Sequence, residues 1–177
     1  MVQIHDKHFD IYLQSEEIQS KVKALSVKLN EEFEGKSPLI IVVLNGSFMF
    51  ASDLVKQINF DHEISFVKLS SYNDFSSLGN VLELIGLNID VENRDVVIVE
   101  DIVDTGLTMN TMVEKLKAKK AKTIRICSLL FKEVAFKGDY KPDFIGFTIP
   151  DFFVVGYGMD YNQKGRNLQE IYKLKIK

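Results

Sequence analysis

The chain has 177 residues, of which 46% are hydrophobic and 27% charged, proportions typical of one globular domain with its own core. Its formal net charge of −3 gives no support to a role on nucleic acid or at a membrane surface. Cys127 is the single cysteine, which excludes a disulfide framework and a cysteine metal site. Because no long apolar run is present at the start or elsewhere, we expect a cytoplasmic protein without a signal peptide.

Helical and strand patterns alternate through residue 131. Apolar residues at helical spacing predict helices over about 15–34, 48–57 and 108–119, the first capped by Ser15. Apolar, β-branched runs predict strands over about 39–44, 63–72, 81–87 and 123–131, and another from residue 96 to the acids that begin at Glu100. This alternation indicates βαβ units and therefore an α/β fold with a mainly parallel, twisted sheet flanked by helices.

The last part of the chain departs from this alternation. From residue 137 onwards, Gly and Pro interrupt short strands, which predicts a small hood or flap. We therefore expect a single domain spanning residues 1–177. Its core would lie at about 36–135, and the hood would combine the N-terminal segment with about 137–177.

Residues 96–109 carry the main functional signal. A β-branched run ends in Glu100, Asp101 and Asp104, and a Thr-Gly-Leu-Thr segment and a predicted helix follow. Open α/β sheets bind ligands at the carboxyl ends of their strands, so this segment is a candidate site. Gly106 lets backbone amides approach an anion closely, and the helix N-terminus adds donors. The loop therefore suits one phosphate, although the same residues could form a simple turn with a helix cap.

Glu100 and Asp101 restrict what the ligand can be. Two adjacent acids at the end of a buried strand are unfavourable unless they are paired, hydrogen-bonded or bound to metal. A sugar phosphate satisfies them, because its vicinal hydroxyls can donate to the carboxylates while its phosphate occupies the loop. Mg²⁺, which prefers oxygen ligands, would neutralise the remaining charge. The residue order is not that of a Walker loop. The residues thus indicate a ribose 5-phosphate that carries a metal-bound group.

Residues 97–108 resemble the phosphoribosyl-pyrophosphate (PRPP) motif of type I phosphoribosyltransferases. Four further segments are similar to the hypoxanthine–guanine phosphoribosyltransferases of the 6-oxopurine class. These are Ser128-Leu129-Leu130-Phe131-Lys132, residues 141–147, residues 149–161 and Arg166-Asn167-Leu168. The similarity runs in collinear order over about residues 14–174, which is far more specific than the PRPP motif alone.

The resemblance implies the type I phosphoribosyltransferase fold and a purine-salvage reaction. The 5-phosphoribosyl group of PRPP would pass to N9 of hypoxanthine or guanine, giving IMP or GMP and pyrophosphate, with Mg²⁺. Asp104 would act as the catalytic base at N7, and Glu100 and Asp101 would bind the ribose hydroxyls. The metal would be held near Glu100, Asp101 and Asp160. The phosphate loop implied by the family consists of Asp104, Thr105, Gly106, Leu107, Thr108 and Met109.

The same resemblance assigns the rest of the site. Lys132 would contact O6 of the base, and an ammonium, which only donates, favours this oxygen over the amino group of adenine. Phe153 would stack on the purine, Val154 would contact it through its backbone, and Asp160 would lie near the pyrophosphate with a second Mg²⁺. Pyrophosphate would be bound by Asn45, Gly46 and Arg166. Ser71 and Tyr72 would begin a lid loop.

Asn45 is a departure from the family, many members of which have lysine in this Leu-x-Gly-Ser turn. In the family the turn binds pyrophosphate largely through its backbone, often with a non-proline cis peptide bond; Asn45 keeps the backbone but not the cation. The resemblance also implies a homodimer or homotetramer.

Two rival functions stay open on the sequence. A PRPP-sensing regulator shares the fold and the motif, but it would normally add a DNA-binding domain or a basic face. A phosphoribosyltransferase that uses xanthine or a pyrimidine is the alternative within the enzyme class.

Overall fold

The computed structural model describes residues 1–71, 81–85 and 89–175. The strands in chain order are β1 (Val2–Ile4), β2 (Lys7–Leu13), β3 (Leu39–Leu44), β4 (Glu63–Ser71), β5 (Val81–Ile85), β6 (Asp95–Val103), β7 (Thr123–Phe131), β8 (Phe144–Thr148), β9 (Val154–Val155) and β10 (Ile171–Leu174). The helices are α1 (Ser15–Glu32), α2 (Phe48–Val55) and α3 (Leu107–Ala118).

The larger sheet of the described chain has the strand order β5-β4-β3-β6-β7-β8. Neighbouring strands are parallel from β4 to β8, and β5 alone pairs antiparallel with β4. Buried parallel strands are apolar on both faces. In β3, Ile40 and Val42 pack on one face with α1 and α2, while Leu39, Ile41 and Val43 pack on the other with α3. The predicted parallel sheet flanked by helices is confirmed.

Several details differ from the sequence expectations. Helix α1 begins at Ser15, but Gln14 is its N-cap, and the Gln14 amide donates to the Glu17 carboxylate over 2.8 Å. The strands β1 and β2 were not predicted. The strand β8 lies in the range assigned to the hood, yet it joins the larger sheet beside β7. The predicted lid over residues 72–80 lies outside the described residues, so Tyr72 has no structural account.

The hood is a smaller antiparallel sheet with the order β1-β2-β10-β9. It brings the two ends of the chain together, since Leu13 of β2 pairs with Ile171 of β10. A buried tyrosine ties the hood segment to the helical layer, because the Tyr157 hydroxyl donates to Asp53 of α2 over 2.8 Å. The hood segment is therefore joined to helix α2 and does not stand apart from the rest of the fold. No helix in the described ranges has the length and apolar character needed to cross a membrane.

Candidate active site

Two adjoining cavities lie at the carboxyl ends of β3 and β6, where the topology predicts a ligand site. The first, of ≈ 290 Å³, is enclosed on one side by the hood. The second, of ≈ 240 Å³, lies over the start of α3. Asp101, Ile102 and Asp104 line both cavities. The remaining lining of the first is Asn45, Gly46, Lys132, Phe152, Phe153, Val154, Met159, Asp160 and Arg166. One ligand could therefore extend over these shared residues, with one of its chemical groups in each cavity.

The adjacent acids Glu100 and Asp101 are buried at the end of β6, each only 8% exposed. Burial, and after it the charge of Asp101, raises the pKa of Glu100 well above its ordinary value. Burial also raises the pKa of Asp101, although hydrogen bonds and the Arg166 charge oppose it. The pair can therefore accept hydrogen bonds from ligand hydroxyls, and a bound cation would favour its ionised form.

The loop between β6 and α3 has the geometry of an anion site. Gly106 adopts φ 82° and caps α3, whose first turn holds no acidic residue. A Cβ at this position would lie 2.4 Å from the Phe136 ring, so the close packing requires glycine. Thr105 is exposed, Thr108 is half-buried, and the Met109 side chain is buried in the core. Of these predicted phosphate ligands, the threonines can offer hydroxyls, while the rest can offer only their backbone amides.

Lys132 lies at the end of β7 and contacts two carboxylates. Its Nζ donates to Asp104 over 2.7 Å and to Asp151 over 2.9 Å. Burial disfavours the charged ammonium, but the two hydrogen bonds and charges outweigh it and raise the pKa of Lys132. The sequence assigned Asp104 and Lys132 to adjacent atoms of one purine, and the structure brings the two side chains together. Asp151 was missed, since only the fold places it beside a lysine 19 residues away.

The hood supplies the opposite wall. Phe153 is 45% exposed, and its ring meets that of Tyr161 edge-on at 5.9 Å, while Val154 is buried in β9. An Arg166 guanidinium nitrogen lies 2.6 Å from Asp160, and another donates to the Gly158 carbonyl over 2.8 Å. Phe152, which we expected in the core, packs against the core and also lines the cavity, as does Met159, for which no role was predicted. The predicted purine and pyrophosphate residues of the hood therefore share one wall.

The turn after β3 closes the floor of the first cavity. The Leu44–Asn45 peptide bond is cis. A Cβ on Gly46 would lie 1.9 Å from the Asp101 carboxylate, and one on Gly158 would lie 1.9 Å from the Gly46 carbonyl. Glycine at both positions lets the turn pack between the acids and the hood. Asn45 and Gly46 thus line the same cavity as Asp101 and Arg166.

The acidic pair fits Mg²⁺ better than the full predicted metal set does. Proteins usually hold Mg²⁺ with one or two carboxylates while substrate phosphates and water complete the octahedron. Glu100 and Asp101 supply such oxygens, and a cation would relieve their mutual repulsion. Asp160 instead pairs with Arg166, and the described residues contain no cluster of three or more side chains suited to a metal.

Comparison with known proteins identifies the architecture. The model of the phosphoribosyl transferase domain family matches residues 8–162. The chain is 46% identical over 166 residues to the hypoxanthine-guanine phosphoribosyltransferase of Bacillus subtilis, covering 93% of this chain and 92% of that protein. The chain belongs to the phosphoribosyltransferase family. This confirms the resemblance drawn from the motifs.

Other phosphoribosyltransferases match over similar lengths. A hypoxanthine-guanine phosphoribosyltransferase of Aquifex aeolicus is 37% identical over 174 residues, covering 97% of this chain and 98% of its own. A solved structure of a hypoxanthine-guanine phosphoribosyltransferase from Bacillus anthracis superposes with a TM-score of 0.88 at 39% identity, covering 93% of this chain and 97% of that one. The sheet and hood described above are thus the type I phosphoribosyltransferase fold.

Proposed function

We propose that this protein is a purine-salvage hypoxanthine–guanine phosphoribosyltransferase, which transfers the 5-phosphoribosyl group of PRPP to N9 of the base. The observation that carries the proposal is the 2.7 Å contact between Lys132 and Asp104 at the meeting point of the two cavities. The 6-oxopurine edge presents O6 beside N7. One donor next to one proton acceptor matches that edge, and the names of the relatives support the same substrates.

The proton and the bond changes can be assigned to this chain's residues. The purine N9 lone pair forms the bond to C1′ of the ribose, while the bond from C1′ to the pyrophosphate oxygen breaks. The proton on N7 of the incoming base passes to Asp104, whose side chain is 45% exposed and faces the cavity. Lys132 donates to O6, and Phe153 covers one face of the ring. The product is IMP from hypoxanthine or GMP from guanine.

The second cavity suits the other end of PRPP. The 5-phosphate would lie against the amides of residues 106–109, at the positive end of α3. Glu100 and Asp101 would accept hydrogen bonds from the ribose hydroxyls, and Asn45, Gly46 and Arg166 would surround the departing pyrophosphate. Mg²⁺, held by the acidic pair, would neutralise charge on the pyrophosphate. The task of the site is mainly positioning and electrostatic stabilisation.

The proposal also covers the oligomeric state and the cellular location. We propose that residues 1–177 act as one phosphoribosyltransferase domain in a homodimer or homotetramer. Ile64 and Phe66 lie on the same face of β4 and are 38% and 48% exposed, as expected of a surface that a second copy covers. Sedimentation velocity would measure the assembly, and a Phe66→Lys variant should shift it toward the monomer. The cytoplasmic location stays a prediction.

The decisive experiment is a pyrophosphate-release assay with PRPP, Mg²⁺ and one base at a time. Hypoxanthine and guanine should release pyrophosphate and yield IMP and GMP, while adenine and uracil should not. Xanthine tests the selectivity among oxopurines. Release with uracil alone, or no release with any base together with salt-dependent RNA binding, would replace the proposal by one of the two rival functions.

A further inference from the structure

Lys132 has one carboxylate partner more than the reaction requires. Its Nζ contacts Asp104, which faces the cavity, and also Asp151, which does not line it. The Lys132 side chain is only 8% exposed, whereas Asp151 is 64% exposed. A buried ammonium needs compensation, but Asp104 alone would provide a partner at 2.7 Å. The second carboxylate therefore calls for an explanation.

We propose that Asp151 is a positioning residue that anchors the Lys132 ammonium and so sets its reach toward O6 of the purine. The inference rests on the proposed function. It assigns a specificity role to a residue that does not touch the substrate.

The donor geometry of lysine gives the first argument. An ammonium has three N–H donors and no acceptor. Asp104 and Asp151 take two of these donors, which leaves the third for the base. If Asp104 were the sole partner, the ammonium would follow that carboxylate, and the same carboxylate must turn to the N7 proton during the reaction. Asp151 holds the ammonium in place while Asp104 changes its hydrogen bonds.

The position of Asp151 in the fold gives the second argument. Lys132 is fixed from the sheet, because its amide donates to the Val103 carbonyl over 3.0 Å. Asp151 belongs to the segment between β8 and β9, where Pro150 restricts the backbone. This segment continues directly into Phe153 and Val154, which line the cavity where the purine would bind. The contact of 2.9 Å thus joins the group that reads O6 to the segment that covers the ring. The same contact therefore helps to position both the Lys132 ammonium and the segment that would cover the purine ring.

The test compares three variants in the pyrophosphate-release assay. Asp151→Asn removes the charge, and Asp151→Glu restores it on a longer side chain. Glu133→Gln is the matched control, since Glu133 neighbours Lys132 in sequence but pairs with Lys141. For each variant, KM is measured for hypoxanthine and for PRPP, together with the competitive inhibition constant of unsubstituted purine, which lacks the 6-oxygen. The side-chain ¹⁵N resonance of Lys132 is also titrated in the free protein.

Asp151→Asn should raise the KM for hypoxanthine about three- to tenfold, the effect of weakening one partly exposed charge-assisted contact. The KM for PRPP and the inhibition constant of unsubstituted purine should stay within about twofold. Asp151→Glu should recover most of the loss, and Glu133→Gln should behave as wild type. The Lys132 titration midpoint should fall in Asp151→Asn only.

Two results would overturn the inference. The first is a hypoxanthine KM in Asp151→Asn equal to that of Glu133→Gln. The second is an equal loss for hypoxanthine and unsubstituted purine, which would indicate a general change of the hood. The NMR titration needs no turnover, so an unshifted midpoint refutes the anchoring contact itself. Absence of turnover in the wild type, by contrast, refutes the proposed function together with the specificity role.

Discussion

Replacing Glu100 by Gln should stabilise the protein at neutral pH while it weakens the proposed ribose site. The pKa of Glu100 is raised well above its ordinary value by burial and by the neighbouring Asp101. A carboxyl with a higher pKa in the folded state contributes stability below its unfolded pKa, and this contribution is lost as the pH rises through the folded pKa. At pH 7.5 the wild type therefore lacks stability that Gln, which cannot ionise, retains.

The size of the effect follows from the linkage. Each unit of raised pKa corresponds to about 1.4 kcal/mol between the two protonation states. For a chain of this length, 1 kcal/mol moves Tm by about 2–4 °C. Each unit of the shift that lies below pH 7.5 should therefore raise the Tm of Glu100→Gln at that pH by about 3–6 °C. The difference should close as the pH falls toward about 4, where the unfolded carboxyl of the wild type is also protonated.

Thermal unfolding followed by circular dichroism between about pH 2 and pH 8 measures this difference and reaches below the ordinary pKa of an aspartate, about 3.9. Asp95→Asn is the matched control at the opposite end of β6. The hydrogen bond from Thr123 and the ion pair with Lys122 outweigh burial there and lower the pKa of Asp95. That variant should be less stable than wild type at pH 7.5, and its deficit should vanish as the pH falls through the folded pKa. A Glu100→Gln protein that is less stable than wild type at pH 7.5, or whose gain does not depend on pH, would refute the reasoning.

Two further substitutions test the loop. Asp104→Asn should lower kcat by about 10²–10⁴-fold, the usual effect of losing a general acid or base, and stopped assays at saturating substrates measure it; wild-type turnover would exclude Asp104 as the base. Gly106→Ala should lower Tm and weaken PRPP binding, because the new Cβ would lie 2.4 Å from the Phe136 ring at φ 82°. Gly35→Ala is its control, since φ 69° carries the same backbone cost with no atom within 4 Å. If both alanine variants lose the same Tm, the contact between residue 106 and the Phe136 ring is not the cause of the loss.

The sequence predicted the parts of the molecule that are local along the chain. The bounds of β3 and β7 matched to the residue, because buried parallel strands are continuous apolar runs. The PRPP motif is equally local, since strand, acids, loop and helix follow one another within residues 96–109. The strand β2, by contrast, was not predicted. Its apolar and polar residues do alternate around Phe9, but the segment is short and rich in polar residues.

Contacts between distant segments could not be predicted in the same way. The hood sheet joins β2 to β10 across most of the chain, and no local pattern specifies that pairing. The contact of Lys132 with Asp151 is of the same kind, because it depends on how the segment after β8 turns back over β7. The sequence could assign a role to each residue of the cleft by resemblance, but only the fold reveals which charges neutralise each other.

Because the cations of the cleft are paired with carboxylates, Asn45 is a suitable position at which to test the effect of an added positive charge. The cations that line the cavity in the described ranges are Lys132 and Arg166, and both contact carboxylates. In the proposed function, pyrophosphate would therefore compete with Asp160 for Arg166. Asn45→Lys would introduce a cation beside Gly46. A partly exposed ion pair contributes about 0.2–1 kcal/mol, or more where water is partly excluded. The inhibition constant of pyrophosphate should then fall about two- to tenfold.

The measurement is pyrophosphate inhibition of the forward reaction at low and at high ionic strength. The gain in affinity should shrink as salt is added, since the Debye length falls from about 10 Å at 0.1 M to about 3 Å at 1 M. Asn45→Gln is the control, because it lengthens the side chain without charge. If Asn45→Lys and Asn45→Gln bind pyrophosphate equally at low salt, the lack of a cation at position 45 does not limit the affinity for pyrophosphate. The backbone of the Asn45–Gly46 turn and the Arg166 guanidinium would then suffice to hold pyrophosphate despite the pairing with Asp160.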